Sequence, residues 1–174
     1  MADSFNNIGL VYEKKGELEN ALVQHQKALE IRTRVFGSDH LDVAKSYNNI
    51  SNVDNRQVKY EEALEVHQKA LEIRTRVFGS DHLDVAKTRE NMAIIYQNQG
   101  HYDQALEIYK SVLETKICVC GHEHPDVAVS YQNLVGVGNH VQTKEMVTMA
   151  YHIFLKVLGP DHPYTQMSSK LSRI

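Results

Sequence analysis

The sequence contains no tryptophan and only three prolines in its 174 residues. The first proline is Pro125, so the preceding stretch has no residue that would interrupt a helix through a missing backbone N–H. That stretch is rich in Ala, Leu, Glu, Gln and Lys, which all favour helix, and no alternating strand pattern occurs in it. The composition therefore predicts an all-α protein.

Other features are scarce too. Cys118 and Cys120 are the only cysteines and stand two residues apart, so they cannot form a disulfide framework. No apolar run approaches the ~20 residues that span a bilayer, and the first residues lack the apolar core of a signal peptide. The formal net charge is −3, without a basic excess. We therefore expect neither a nucleic-acid nor a membrane partner, and by elimination a cytoplasmic location.

What the sequence does contain is a repeat. Residues 21–45 return at 63–87 with two differences, Val23/Glu65 and Gln24/Val66. A looser third copy keeps the 42-residue offset, and a fourth ends 38 residues after its predecessor. A fixed period of about 20–50 residues predicts a stacked array in which no unit buries its apolar face alone. The aligned positions include Gly37, Gly79, Gly121 and Gly159, and His40, His82, His124 and His162.

Apolar residues spaced three and four apart predict a pair of helices in each repeat. Gly16 and Gly37 follow the first two helices, as C-terminal glycines do. Ser38 or Asp39 is expected to cap the third helix, with Asp42 in its first turn. The expected helices cover about 3–15, 18–36, 41–56, 60–78, 83–98, 102–119, 125–138 and 142–158, with another starting at Pro163.

The pattern of Asn7-Ile8-Gly9, Tyr12, Gly16, Leu18, Ala21, Ala28 and Leu29 resembles the tetratricopeptide repeat, and residues 91–113 match it again. The 42-residue period and the segment Gly121–Ala128 are similar to the kinesin-light-chain type. This resemblance implies a right-handed superhelical solenoid of helix-turn-helix units, formed as a single array over 1–174. Its repeats would be about 1–40, 41–82, 83–124 and 125–162, with 163–174 starting a further helix or a cap.

In tetratricopeptide arrays the first helix of each pair, here called A-type, lines a concave groove that holds an extended peptide. The resemblance implies that polar and charged residues on these helices face the groove. Asparagine amides can donate to and accept from a peptide backbone, and lysine or arginine would favour an acidic segment. The implied groove residues are Asn6, Asn7, Lys45, Asn48, Asn49, Asn52, Arg56, Lys87, Glu90, Asn91, Ile94 and Asn98.

A zinc site is the main chemical alternative, because Cys118, Cys120, His122 and His124 lie within seven residues. The repeat explains them better: Cys120 replaces Phe36 and Phe78, and thiols two apart on a helix diverge. We expect no metal and no cofactor. His25, His67 and the junction histidines are interpreted as packing or capping residues. No nucleophile elbow, phosphate-binding loop or HExxH motif occurs, so we expect no enzyme.

The sequence thus predicts a non-catalytic interaction scaffold that binds an extended, acidic peptide, and the resemblance suggests a cargo adaptor of the kinesin-light-chain kind. A second hypothesis is a structural spacer that self-associates through uncapped ends, giving a homo-oligomer. The charged stripe of the second, B-type helices is expected to form their outer face. It comprises Glu30, Arg32, Arg34, Glu72, Arg74 and Arg76.

Overall fold

The computed structural model describes residues 1–137 and 140–171, with the side chains of 140–143 left aside. Every regular element in these ranges is a helix, which confirms the all-α prediction. The helices are α1 (Ala2–Lys15), α2 (Leu18–Phe36), α3 (Leu41–Arg56), α4 (Tyr60–Phe78), α5 (Leu83–Asn98), α6 (Tyr102–Cys120), α7 (Pro125–Val135), α8 (His140–Leu158) and α9 (Pro163–Leu171). None of the described helices is long and apolar enough to cross a bilayer.

The helix ends follow the repeat, but the cap of α3 and the end of α7 differ from the sequence-based expectation. α3 is capped by His40 and not by Ser38 or Asp39, because the His40 Nδ1 accepts a hydrogen bond from the Asp42 backbone N–H at 3.1 Å. His82 and His124 cap α5 and α7 in the same way, which confirms a capping role for these histidines. α7 ends three residues earlier than expected, at Val135, where Gly136 follows and weakens the helix.

The turn inside each pair differs between the first two repeats. Gly16 ends α1 in the left-handed conformation, with φ 79° and ψ 7°. The equivalent residue after α3 is Val58, which also has a positive φ of 64°. A β-branched residue is uncommon in that region and costs conformational energy there. The second repeat therefore keeps the geometry of the turn without the residue that best fits it.

The chain forms two compact units, Met1–Ser80 and Asp81–Ile174. In the first unit, α1 packs on α2, α2 on α3 and α3 on α4. Fully buried alanines let the paired helices approach closely, among them Ala21, Ala28, Ala63 and Ala70. One cluster of its core consists of Val43, Ala44, Ala70 and Ile73, with Leu29 and Tyr47 packed against it.

In the second unit, α5 packs on α6, α6 on α7, α7 on α8 and α8 on α9. One core cluster joins Ala93, Ala105, Tyr109 and Leu134, and another joins Ala128, Ala150 and Phe154. Both units are thus stacks of A-type (α1, α3, α5, α7, α9) and B-type (α2, α4, α6, α8) helices. That they form the single array expected over 1–174 stays a prediction.

One core position shows how the repeats solve the same packing problem with different residues. The fully buried His25 ring bonds Glu13 through Nε2 at 2.9 Å. It lies against Gly9, where a Cβ atom would come within 2.6 Å of the ring. Tyr109 has the equivalent place in the third repeat, and its hydroxyl donates to the Gln97 Oε1 at 3.1 Å. The buried histidines were expected as packing residues, and His25 and His67 are both buried.

Candidate functional site

The expected groove residues of the first unit lie on α1 and α3 and differ in exposure. Asn7, Lys45, Asn52 and Arg56 are exposed, whereas Asn6, Asn48 and Asn49 are half-buried. The half-buried ones join helices to one another. The Asn49 Nδ2 donates to the Asn6 Oδ1 at 2.6 Å, and the Arg74 Nη1 donates to the Asn48 Oδ1 at 3.5 Å. The exposed amides of this surface are therefore those of Asn7 and Asn52.

Two cations of this surface already have acidic or carbonyl partners within the chain. The Lys45 Nζ lies 2.8 Å from the Asp42 Oδ1, and this hydrogen bond lowers the pKa of Asp42. The Arg56 guanidinium donates from both terminal nitrogens to the Glu13 carbonyl at 3.1 Å, with the Glu13 Oε2 at 3.5 Å. An acidic ligand would meet these cations in competition with their own partners. Both pairs are open to solvent on the cation side.

A third cation, Arg32, lies where sequence reasoning did not place it. The expectation that it belongs to the outer face of α2 is wrong, because its side chain is 7% exposed. Its Nη1 donates to the Ser46 Oγ at 2.7 Å and to the Asp42 carbonyl at 3.3 Å. Its Nη2 donates to the Asp3 Oδ1 at 2.7 Å. The guanidinium thus reaches from a B-type helix to the A-type helices α1 and α3.

The sequence did carry a signal for this position. Arg32 and Arg74 become Lys116 in the third repeat, so the positive charge persists there. Two residues further on, the charge is lost at Cys118. A position that stays positively charged in all three repeats, while a neighbouring position on the same helix does not, indicates that the charge has a partner inside the protein. Arg34 and Arg76, by contrast, are exposed as expected.

The expected groove residues of the second unit lie on α5. Lys87, Ile94 and Asn98 are exposed, and Glu90 and Asn91 are half-buried. The Glu90 Oε1 accepts from the Lys116 Nζ at 2.8 Å and from the Asn133 Nδ2 at 2.9 Å. The side chains of Lys116 and Glu90 are 7% and 12% exposed. Glu90 therefore joins α5 to α6 and α7.

A cavity of about 390 Å³ opens beside this ion pair. It is lined by Leu83, Asp84, Lys87, Glu90, Lys116, Asp126 and Val129. Lys87 forms no ion pair with any residue that the structure describes, and its side chain is exposed. It is thus a cation on α5 that a carboxylate ligand could reach without displacing an ion-pair partner.

The Cys118–His124 segment shows no metal-site geometry. Cys118 is exposed and Cys120 half-buried, and both are free thiols. The His124 Nδ1 already accepts the hydrogen bond that caps α7. Within the described ranges, no three His, Cys, Asp or Glu side chains are grouped so that they could hold a metal ion.

Known proteins resemble this chain at the levels of family and fold. A family model described as "Tetratricopeptide repeat" matches residues 1–74 and again 44–117. None of the curated protein sequences matches significantly. The crystal structure of BtubC (BKLC) from P. vanneervenii superposes with a TM-score of 0.80 at 22% identity, covering 93% of this chain and 66% of that one. The chain thus spans slightly less than two thirds of that relative.

A second solved structure is a Podosopora anserina putative kinesin light chain with nearly identical TPR-like repeats. It has a TM-score of 0.81 at 20% identity, covering 98% of this chain and 82% of the other. At such identities the structural likeness shows the fold alone. It agrees with the helix pairs described above, and together they show an all-α fold of stacked helix-turn-helix repeats.

Proposed function

Because this chain belongs to the tetratricopeptide repeat family, whose members typically mediate protein–protein interaction, we propose that it is a non-catalytic scaffold for a partner protein. The ligand would be an extended, acidic peptide segment bound along the A-type helices. The observation that carries this proposal is the set of exposed amides and cations on those helices. They are Asn7, Lys45, Asn52, Arg56, Lys87 and Asn98.

In the proposed mechanism, amides bind the peptide backbone and cations bind its acidic side chains. An exposed amide such as that of Asn52 can donate to and accept from a peptide backbone whatever its sequence. The ammonium group of Lys87 would attract an acidic side chain, and it has no ion-pair partner among the described residues. Lys45 and Arg56 would contribute less, because Asp42 and Glu13 already contact them.

Peptide-array binding tests this proposal directly. Purified protein is presented with acidic and neutral peptides at two salt concentrations, together with Lys87→Glu and Asn52→Ala. Each substitution is expected to weaken acidic-peptide binding, by about tenfold for Lys87→Glu and less for Asn52→Ala. Lys110→Glu is the matched control, since Lys110 is exposed on the B-type helix α6. Equal binding by Lys87→Glu and Lys110→Glu would remove α5 from the proposed site.

More specific forms of the proposal concern the cellular setting. A cargo adaptor of the kinesin-light-chain kind is supported by the fold of the Podosopora anserina neighbour and by the 42-residue repeat. A cytoplasmic location is part of the proposal, and a reducing compartment would keep the exposed Cys118 thiol reduced.

Self-association is the second candidate, and one face of α1 favours it. Ile8 and Val11 are 44% and 53% exposed. Their equivalents on α3, Ile50 and Val53, are buried at 6% and 0%. A shallow cavity of about 310 Å³ accompanies this apolar face. Sedimentation over a hundredfold concentration range should then show a dimer that Val11→Glu abolishes. A monomer throughout that range would dismiss this candidate.

A further inference from the structure

We propose that Arg32 forms a carboxylate-binding site on the surface of α1 and α3, and that Asp3 occupies this site when no ligand is bound. The inference rests on the proposed function, because it names the residue that would contact an acidic side chain of the peptide. It adds a site to the expected groove residues, none of which comes from a B-type helix. The chemical class of the ligand is a carboxylate on an extended peptide.

The position of the Arg32 guanidinium is fixed by contacts within the protein, without a ligand. Ser46 and Asp42, both on α3, hold its Nη1 at 2.7 Å and 3.3 Å. The side chain is only 7% exposed, but its Nη2 contacts a carboxylate whose side chain is 88% exposed, so this end of the guanidinium lies next to solvent. Water or a carboxylate can therefore pair with Nη2, and a carboxylate gives the stronger, charge-assisted hydrogen bond. Because one terminal nitrogen is fixed by α3, the other, Nη2, has a defined direction for a carboxylate.

The carboxylate of Asp3 occupies the position in which a ligand carboxylate would bind. Its Oδ1 lies 2.7 Å from the Arg32 Nη2, yet the side chain of Asp3 is 88% exposed. It lies in the first turn of α1, whose N-cap residue makes no side-chain capping bond. A change in the Asp3 rotamer would release the guanidinium and leave the carboxylate in water. The site is therefore closed by a side chain that can leave at little cost.

The repeat itself does not require this acidic residue. The residues equivalent to Asp3 are Lys45 in the second repeat, Lys87 in the third and Val129 in the fourth. The cation, by contrast, persists at the Arg32 position in the first three repeats. Asp3 is thus a feature of the first repeat, and its contact with Arg32 is separable from the fold.

The size of the expected effect follows from competition between Asp3 and the ligand. Ion pairs with an exposed partner are favoured only a few-fold over the open form. The apparent affinity for a competing carboxylate is reduced by the same factor. Removing the Asp3 carboxylate should therefore tighten ligand binding about two- to fivefold.

The test uses the full chain and follows the side-chain Nε–Hε signal of Arg32 by NMR. Sodium acetate, and separately a capped octapeptide of alternating Asp and Gly, are titrated into the wild type, Asp3→Asn and Glu30→Gln. Glu30 is exposed on α2, so its substitution makes the same change in net charge. Asp3→Asn is expected to respond at two- to fivefold lower acetate and peptide concentrations, and Glu30→Gln to behave as the wild type.

A second variant tests the fixed guanidinium without removing the cation. Ser46→Ala loses the 2.7 Å anchor of Nη1 and should weaken the acetate response of Arg32 in the Asp3→Asn background. An Arg32 signal that ignores acetate in every variant, or equal responses of Asp3→Asn and the wild type, would overturn the proposal. An Arg32 signal that responds to acetate while no acidic peptide binds would keep the site and reject the proposed function.

Discussion

The two units place a cation at the same position of a B-type helix but give it different partners. Arg32 in the first unit bonds Asp3, whose side chain is 88% exposed. Lys116 in the second unit bonds Glu90, which is 12% exposed. Both cations are 7% exposed, but water at the surface can replace the exposed Asp3, whereas loss of the buried Glu90 leaves both Lys116 and Asn133 without their acceptor. Equivalent positions can thus serve ligand exchange in one repeat and stability in another.

The largest expected effect comes from breaking the buried pair. Glu90→Ala would leave Lys116 without a counterion and Asn133 without its acceptor. We expect the free energy of unfolding to fall by about 3–5 kcal/mol, because an uncompensated charge stays buried. The matched variant Asp3→Ala should cost less than about 1 kcal/mol. Urea denaturation followed by circular dichroism measures both.

Replacing both partners is the control for this prediction. In the double variant Glu90→Leu/Lys116→Met, apolar side chains of similar size fill the same space, and most of the stability should return. Equal losses for Glu90→Ala and Asp3→Ala would show that the difference in exposure between the two acids has no energetic consequence.

The next effect is a pH dependence that belongs to the first unit. Burial, with a smaller contribution from Arg74, lowers the pKa of His67 to about 4 from its ordinary 6.5. Between these values the unfolded chain binds the proton and the folded chain does not. Stability should therefore be complete above pH 6.5 and fall by about 2–3 kcal/mol as the pH drops to 4. Thermal melts across this range measure the loss.

The second unit supplies the control substitution for that experiment. Tyr109 stands at the position equivalent to His67, and burial raises the pKa of its hydroxyl, so it stays neutral at acidic pH. His67→Tyr should therefore flatten the pH dependence between 6.5 and 4. An unchanged slope in this variant would assign the acid sensitivity to other groups.

A smaller effect is expected from filling the space beside His25. Gly9→Ala places a Cβ atom 2.6–2.9 Å from three atoms of the ring, which the bond to Glu13 holds in place. Although alanine favours helix, we expect a loss of about 1–3 kcal/mol from overpacking. Gly136→Ala in the second unit is the matched control. Its Cβ would come that close only to the Gln97 Nε2. The Gln97 side chain is held by one hydrogen bond from Tyr109 but can shift more easily than a buried ring, so the melting temperature should change little.

The smallest expected effect concerns Asp54. Burial raises the pKa of this carboxyl, so the folded chain holds its proton to higher pH than the unfolded chain. The charged form therefore destabilises the fold at neutral pH, and this penalty disappears in acid. Asp54→Asn should raise the melting temperature slightly at pH 7 and leave it unchanged at low pH. A decrease at pH 7 would mean that the carboxylate has a stabilising partner.

Most of the fold could be predicted because each repeat contains the same signals for where its helices begin and end. Gly16 and Gly37 mark helix ends that the structure confirms, and residues 60–78 form the expected helix to the residue. The caps were assigned to Ser38 or Asp39 because those types dominate N-cap statistics. The structure instead uses the His40 ring nitrogen, a less common acceptor.

The candidate site was harder to predict, because side-chain direction depends on partners that are distant in sequence. Periodicity placed Arg32 on a charged stripe, but its partners are 14 and 29 residues away. Glu90 was expected to face the groove, and its bonds to Lys116 and Asn133 cross 26 and 43 residues. Only comparison among repeats hints at them, since lysine appears at 116 in the repeat that carries glutamate at 90.

A pair of double-mutant cycles on unfolding stability would compare the two ion pairs without other differences. One cycle combines Asp3→Ala with Arg32→Met, and the other combines Glu90→Ala with Lys116→Met. We expect a coupling of less than about 1 kcal/mol between Asp3 and Arg32, and of about 3 kcal/mol or more between Glu90 and Lys116. A coupling as large for Asp3 and Arg32 would contradict this expectation, because a strongly held carboxylate could not give way to a ligand.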